Sequence, residues 1–347
     1  MKENQETEKY WQMPRSLRTT AALALLIAAV FASAIIAGCT AANDERTPLS
    51  SGAGEKYSYS LTEYGALKLT GTDYAYTAGN VTYAADGSVK ITQLTMNDGS
   101  SDVYALIAEP VDASKARAAV IFAPGAGVAA DKHLNRSIEY AQDGIVFMAV
   151  DIRGNGGKTA GVPLNIQNEY KTFSRGTTPQ YYRIIFDLCA AQKYIAGIYG
   201  SDLPIYAAGS SNGGRYACVA AAIDEGFAGY VGISTSGYVY EEGIAGQGGM
   251  DIFVRSINPD TYIGKIAPRE VYILHSASDS LIPYDQGLGL YNRAGEPKDF
   301  EMFIGGHGIN AEVDQYLLRT LGNATALENL KSGTKVGLWT QSPSDEY

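Results

Sequence analysis

The sequence predicts an α/β protein: a mostly parallel central sheet with helices on both faces, preceded by an antiparallel β extension and carrying a small Gly-rich cap. Three observations lead there. Residues 118–123, 144–150 and 203–208 are short, nearly continuous apolar runs, the pattern of strands buried on both faces. Stretches with helical apolar spacing alternate with these runs, which favours parallel strand order. Several runs end directly in glycine-rich or polar turns, where such sheets collect their active groups.

Taken in order, residues 56–61, 74–83, 89–95 and 103–108 alternate apolar and polar side chains. Gly79-Asn80, Asp86-Gly87 and Asn97-Asp98-Gly99 punctuate them as turns, so residues 56–109 form the antiparallel extension. The run 118–123 ends in Pro124-Gly125-Ala126-Gly127, and a helix follows from about Asp131 with Leu134, Ile138 and Ala141 on one face. The strand 144–150 ends in Asp151-Ile152-Arg153-Gly154-Asn155-Gly156, where Asp151 and Arg153 are expected to brace loops. A long helix covers 179–198, with Ile184, Leu188, Ala191 and Ile195 at helical spacing. The strand 203–208 leads into Gly209-Ser210-Ser211-Asn212-Gly213 and then an Ala-rich helix to Ile223. Residues 227–233 are a further strand, and 236–250 open a cap that extends to about 262. The strand 270–274 precedes a helix at 284–294. The last strand, 300–304, precedes a helix capped by Asn310, with Val313, Leu317 and Leu321 on its apolar side.

At 347 residues, with 46% hydrophobic and 18% charged side chains, the chain is long enough for one large α/β domain with a sizeable core. A net charge of −10 argues against nucleic acid as a partner. The 25 tyrosines suit wet strand faces and clefts. With three cysteines, three histidines and no C-x-x-C or Cys/His cluster, no metal site is expected. Cys189 and Cys218 fall in predicted helices and read as small buried residues rather than a disulfide. Gly156-Gly157-Lys158-Thr159 imitates the end of a phosphate loop, but Ile152 stands where its first glycine is required, so nucleotide binding is rejected.

The N-terminus reads as an address. Arg15 and Arg18 precede the apolar run 21–37, a charged region followed by an export signal. The run ends Ile36-Ala37-Gly38-Cys39, which resembles the lipobox of bacterial and archaeal lipoproteins. That resemblance implies a signal peptide over 1–38, cleavage before Cys39 and a lipid on its thiol. Residues 39–55 would then tether the body, 56–347, to the bilayer. The alternative is an uncleaved anchor helix. Both readings put the body outside the cytoplasm.

The chemistry centres on Ser211. G-x-S-x-G between a buried strand and a helix lifts a serine hydroxyl onto the top of an α/β sheet. A serine hydroxyl needs a base, and the base needs an anion that fixes its tautomer. His307 lies in a glycine-flanked loop after the last strand, and Asp279 follows the preceding one. His275, ending a strand, reads as structural, and His133 as a solvated helix residue. The tetrahedral intermediate needs N–H donors, one from Asn212 at the helix start and the other from the amide of Ala126.

With these residues in place, the stretch from about 102 to 321 resembles the α/β hydrolases, most closely the branch of dienelactone hydrolases, acetyl esterases and oligopeptidase catalytic domains. Ala123-Pro124-Gly125-Ala126-Gly127, Asp151-Ile152-Arg153-Gly154, the Ser211 elbow, Ser278-Asp279 with Ile282-Pro283, and Gly306-His307 carry it. Dienelactone hydrolases use a cysteine nucleophile where this chain has Ser211, and Pro124 replaces the usual histidine of the oxyanion turn. The expected activity is cleavage of a small-molecule carboxylic ester or related acyl bond through an acyl-serine, with no cofactor. Two alternatives stand beside it: an oligopeptidase-like serine peptidase, and a non-catalytic surface lipoprotein on a hydrolase scaffold.

Overall fold

The computed structural model describes residues 55–239 and 249–323. The signal sequence, Cys39, nearly all of the tether and part of the Gly-rich cap lie outside the described residues.

Strands β1 (Tyr57–Leu61) and β2 (Leu67–Thr72) form a separate antiparallel pair. β3 (Ala75–Tyr83), β4 (Val89–Asn97) and β5 (Asp102–Pro110) follow as an antiparallel meander. Then come β6 (Ala118–Ala123), β7 (Ile145–Val150), β8 (Ile205–Ser210), β9 (Gly229–Ile233), β10 (Glu270–Ser276) and β11 (Lys298–Phe303). The nine-stranded sheet has the order β11-β10-β9-β8-β6-β7-β5-β4-β3. Strands β6 to β11 run parallel to one another, and β5 joins antiparallel at β7. The expected extension is therefore the antiparallel edge of the main sheet plus one small pair lying outside it.

Because β6, β7 and β8 are buried along their whole length, their alternate side chains enter two different cores. Ala119, Ile121, Val146, Met148, Ile205 and Ala207 face helices α3 (Gln180–Tyr199) and α4 (Asn212–Ile223). Val120, Phe122, Phe147, Ala149, Tyr206 and Ala208 face the opposite layer, helices α1 (Leu134–Gln142) and α8 (Ala311–Thr320). This is the two-sided α/β sandwich that the apolar runs predict.

Two helices differ from the expectation. The sequence pattern assigns no element between residues 156 and 179, but Ile166–Ser174 is helix α2, capped by Asn165, whose side chain accepts from Asn168 N. It carries Glu169, whose buried carboxylate accepts from Gln180 N at 2.5 Å and so caps α3 behind Pro179. Residues 249–262, expected within the cap, form helices α5 (Gly249–Ile257) and α6 (Pro259–Tyr262) and pack into the main core. Phe253 is fully buried, with ring centroids 5.4 Å from Phe173 and 6.2 Å from Tyr170. An aromatic face of that size gains more against α2 than over an open cleft. Helix α7 (Tyr284–Arg293) lies where its pattern put it.

The tyrosines also differ. Tyr140, Tyr182, Tyr230, Tyr262 and Tyr272 are among the largest fully buried side chains. A buried hydroxyl left unpaired costs about 1–3 kcal/mol, and these have partners. Tyr230 donates to Gly214 O at 2.8 Å, Tyr262 to Ser256 O at 2.8 Å and Tyr272 to Glu270 at 2.6 Å.

One buried ion network ties the antiparallel edge to the loop after β7. Arg153, only 2% exposed, donates to Asp187 through Nε (2.7 Å) and Nη2 (2.8 Å), and to Asp98 at 2.9 Å. Arg183 reaches Asp98 at 2.5 Å, and Tyr74 donates to Asp187 at 3.0 Å. Arg153→Met is expected to lower unfolding free energy by about 3–5 kcal/mol in a urea titration, because the buried Asp187 carboxylate loses its guanidinium partner and Asp98 is left with Arg183. A loss below about 1 kcal/mol, the range of an exposed pair, would contradict that reading. Burial pushes the Asp98 carboxyl up, but the Arg183 hydrogen bond and the Arg153 charge outweigh it and hold it at about 2. Its contribution is therefore complete above the unfolded pKa and fades as pH falls toward about 2.

Candidate active site

Ser211 is the single residue between β8 and α4. Its backbone sits at φ 56° and ψ −124°, a conformation that costs a non-glycine residue on the order of 1–3 kcal/mol. Contacts on both sides hold it: Ser211 N donates to Ile233 O at 2.9 Å, and Thr235 Oγ1 donates to Ser211 O at 2.7 Å. The turn is so close to β6 that a Cβ on Gly213 would lie 2.0 Å from Ala123 O, so only glycine fits there. Asn212 opens α4, so its N–H is one of the four that the helix leaves unpaired, at the positive end of the helix dipole. Arg215 holds the Asn212 side chain, donating from Nη1 to Oδ1 at 2.7 Å and from Nε to Ser236 O at 3.1 Å.

The turn after β6 faces this elbow. A Cβ on Gly125 would stand 3.5 Å from Ser211 Cβ and 3.2 Å from Ser210 Oγ. Val128 N donates to Gly125 O at 3.2 Å, and Gly127 has φ +75°, the glycine position that a tight turn of this kind requires. Asn155, from the loop after β7, clamps the turn. Its Oδ1 accepts from Gly127 N at 2.7 Å, and its Nδ2 donates to Gly125 O at 2.8 Å and Val128 O at 3.0 Å. Ala126 and Asn212 line one cavity of about 200 Å³, together with Ile152, Pro163, Leu164 and Tyr216. The two residues whose amides are expected to stabilise an oxyanion thus border the same space.

Asp279 and His307 are paired. His307 Nδ1 lies 2.8 Å from Asp279 Oδ2 and 3.0 Å from Oδ1. Oδ1 also accepts from Leu281 N and Ile282 N, both at 2.9 Å. Burial raises the carboxyl, but the Ile282 N–H, His307 and the Leu281 N–H outweigh it and hold it below the usual carboxylate range. Serine hydroxyls pin the histidine loop at both ends. Ser276 and Ser278 donate to Gly305 O, the latter at 2.7 Å. Ser234 accepts from Gly308 N at 3.1 Å and donates to Gly308 O at 3.2 Å. The adjacent Ser234 and Thr235 therefore hold the loop of His307 on one side and the carbonyl of Ser211 on the other.

The remaining histidines sit elsewhere. His275 is fully buried and structural as expected: Nε2 lies 2.9 Å from Ile282 O and 3.5 Å from Asp279 Oδ2, and burial lowers its pKa. His133 differs from its expectation. It is buried, not solvated, with its ring 4.7 Å from that of Phe122 and its pKa pushed down to about 4 by burial and then by Arg136. The apolar side of Phe122 draws it inward where a helix start alone suggested solvent. Cys189 and Cys218 are free and buried. Among the described residues, no group of three or more His, Cys, Asp or Glu side chains is arranged to hold a metal ion.

Sequence reasoning missed Asn155, Ser234 and Thr235. Asn155 stands between Gly154 and Gly156, two residues after Arg153, and its side-chain role depends on a turn 28 residues away. Nothing local marks it.

Residues 77–234 match the family model described as acetyl xylan esterase. The match takes in the turn after β6 and the turn at Ser211 and ends before Asp279 and His307. Among solved structures, the acetyl xylan esterase from Paenibacillus sp. R4 is 15% identical with a TM-score of 0.57, over 72% of this chain and 88% of that one. Acetyl xylan esterase 1 from Thermoanaerobacterium sp. JW/SL YS485 is 17% identical with a TM-score of 0.55, over 72% and 87%. A glucuronoyl esterase from Solibacter usitatus is 14% identical with a TM-score of 0.54, over 77% and 88%. At these identities the likeness establishes a shared fold. No curated protein matches the sequence.

Proposed function

We propose that this chain, which has the α/β-hydrolase fold, cleaves carboxylic esters by a serine mechanism in which Ser211 is the nucleophile, His307 the base and Asp279 its orienting anion. The observation that carries the reading is the His307–Asp279 pair, whose loop is tied through Ser234 and Thr235 to the strained backbone of Ser211. With Nδ1 held by the carboxylate, Nε2 of His307 is the nitrogen left to accept the Ser211 proton. The Ser211 oxygen attacks the ester carbonyl carbon, and the carbonyl oxygen becomes an oxyanion facing the Asn212 and Ala126 amides. Collapse expels the alcohol, which leaves with the proton from His307. Water, deprotonated by the same imidazole, then releases the acid and frees Ser211.

The acyl group we propose is short, acetyl first. A cavity of about 200 Å³ bordered by Ile152, Leu164, Pro163 and Tyr216 suits a few carbon atoms, and the matched family and two of the structural relatives carry acetyl xylan esterase in their descriptions. A panel of p-nitrophenyl acetate, butyrate and octanoate, with aminoacyl p-nitroanilides as peptide analogues, tests this. The acetate should give the highest kcat/KM, at least about tenfold above the octanoate, as expected where surplus methylenes find no room. Anilide cleavage at a comparable rate would favour the peptidase reading, and no turnover of any member the non-catalytic one. Export and lipidation at Cys39 remain part of the proposal on the strength of the sequence around it, giving an enzyme that works on ester substrates at the outer membrane surface of its cell.

A further inference from the structure

An amide N–H and the carbonyl that precedes it belong to one planar trans peptide group, so fixing the oxygen fixes the direction of the N–H on the opposite side. The Asn212 N–H shares its plane with Ser211 O, which accepts from Thr235 Oγ1 at 2.7 Å. The Ala126 N–H shares its plane with Gly125 O, which accepts from Asn155 Nδ2 at 2.8 Å. Resting on the reading of Ser211 as nucleophile, we infer that Thr235 and Asn155 are positioning residues that aim the two oxyanion donors, each by a hydrogen bond to the back of the donor's own peptide.

Both side chains are held so that they can do this. Thr235 is fully buried, and its Cβ and Cγ2 stand 2.8 Å from where a Cβ on Gly214 would be. Its Cγ2 is 2.9 Å from the corresponding point on Gly232. The methyl group therefore fills the space that these two glycines leave open, and the hydroxyl is directed at Ser211 O. Asn155 is oriented by its other contacts: Gly127 N requires an acceptor, which puts Oδ1 there and Nδ2 against the carbonyls of Gly125 and Val128. Its loop is anchored two residues earlier by the buried Arg153 network. Val128 N also bonds Gly125 O, but at 3.2 Å, and it moves with the same turn. Asn155 ties that turn to a different strand. A hydrogen bond at the carbonyl also polarises the peptide and makes its N–H a better donor. Donors set before the charge develops are what lower the barrier.

The experiment compares the parent enzyme with Thr235→Val, Thr235→Ser and Asn155→Leu on p-nitrophenyl acetate, with Ser211→Ala as reference. Inhibition by a trifluoromethyl ketone, which forms a tetrahedral adduct with serine, is measured alongside. Thr235→Val and Asn155→Leu should each lower kcat by about 10–100-fold, somewhat less than deleting a donor outright. KM should stay near the parent value, and the ketone's Ki should rise in step with the loss of kcat/KM. Thr235→Ser, which keeps the hydroxyl, should recover most of the rate. Thermal unfolding of each variant sets the folded fraction to which rates are normalised. The inference is overturned if folded Thr235→Val and Asn155→Leu keep the parental kcat, or if ketone affinity does not follow kcat/KM. Should Thr235→Val not fold, Asn155→Leu and Thr235→Ser decide by the same criteria. If Ser211→Ala hydrolyses the ester at the parental rate, the nucleophile assignment itself is what fails.

Discussion

Ser211→Ala is expected to lower kcat for p-nitrophenyl acetate by about 10⁴–10⁶-fold, with little change in KM and no loss of folded protein. The size follows from what the side chain does in the proposed cycle. It is the atom that bonds to the acyl carbon, and without it only water can attack, with whatever help the cavity and its amides still provide. The local structure argues that the change is tolerated. The backbone of residue 211 is held by its own N–H to Ile233 O and its own carbonyl to Thr235 Oγ1, neither of which involves the hydroxyl. Alanine at φ 56° carries the same strain as serine. A folded Ser211→Ala protein within tenfold of the parent rate would remove Ser211 from the mechanism, and Ser210, buried at the end of β8, would be examined next.

Asp279→Asn should cost about 10⁴-fold in kcat, through the tautomer of His307 rather than through charge alone. Oδ1 of Asp279 accepts from two backbone N–H groups, Leu281 and Ile282, so the carbonyl oxygen of an asparagine must take that place. Its NH₂ group then occupies the position of Oδ2, 2.8 Å from His307 Nδ1 in the parent. A donor there forces Nδ1 to accept and moves the imidazole proton to Nε2, the nitrogen that must receive the Ser211 proton. His275 cannot take over the orienting role, because its Nε2 lies 2.9 Å from Ile282 O and its ring is wholly buried. Steady-state kinetics beside circular dichroism checks this. A kcat within about tenfold of the parent would mean that the carboxylate does not set the tautomer.

Much of the fold was legible because its strands are buried on both faces. Runs such as Val120-Ile121-Phe122 and Val146-Phe147-Met148-Ala149-Val150 can hardly be placed anywhere but the middle of a covered sheet. The elements missed are those whose apolar residues look sparse in one dimension. Helix α2 shows only Ile166, Tyr170 and Phe173 among polar neighbours, and its identity depends on the Phe253 face of α5 arriving from 80 residues further on. Strand β2 is short and interrupted by Gly71, and it is defined by pairing with β1. At the site, Ser211, Asp279 and His307 stand out in the sequence because reactive side chains after strand ends have a known order and a local glycine signature. Asn155, Ser234 and Thr235 carry no such mark. They are ordinary polar residues whose partners, Gly127, Gly308 and Ser211, become neighbours only when the sheet closes. His133 was misjudged for the same reason: a helix start reads as exposed until Phe122 is seen beneath it.

The central claim is that an acyl group passes through the oxygen of Ser211, and trapping that bond tests it most directly. The parent protein, Ser211→Ala and His307→Ala are each treated with a fluorophosphonate, weighed intact and mapped by peptide mass spectrometry. One equivalent of phosphonate on the peptide carrying Ser211, none on Ser211→Ala and strongly slowed labelling of His307→Ala is the predicted result. Phosphonate on Ser210 or another residue, or ester hydrolysis that continues with Ser211 fully modified, would contradict it.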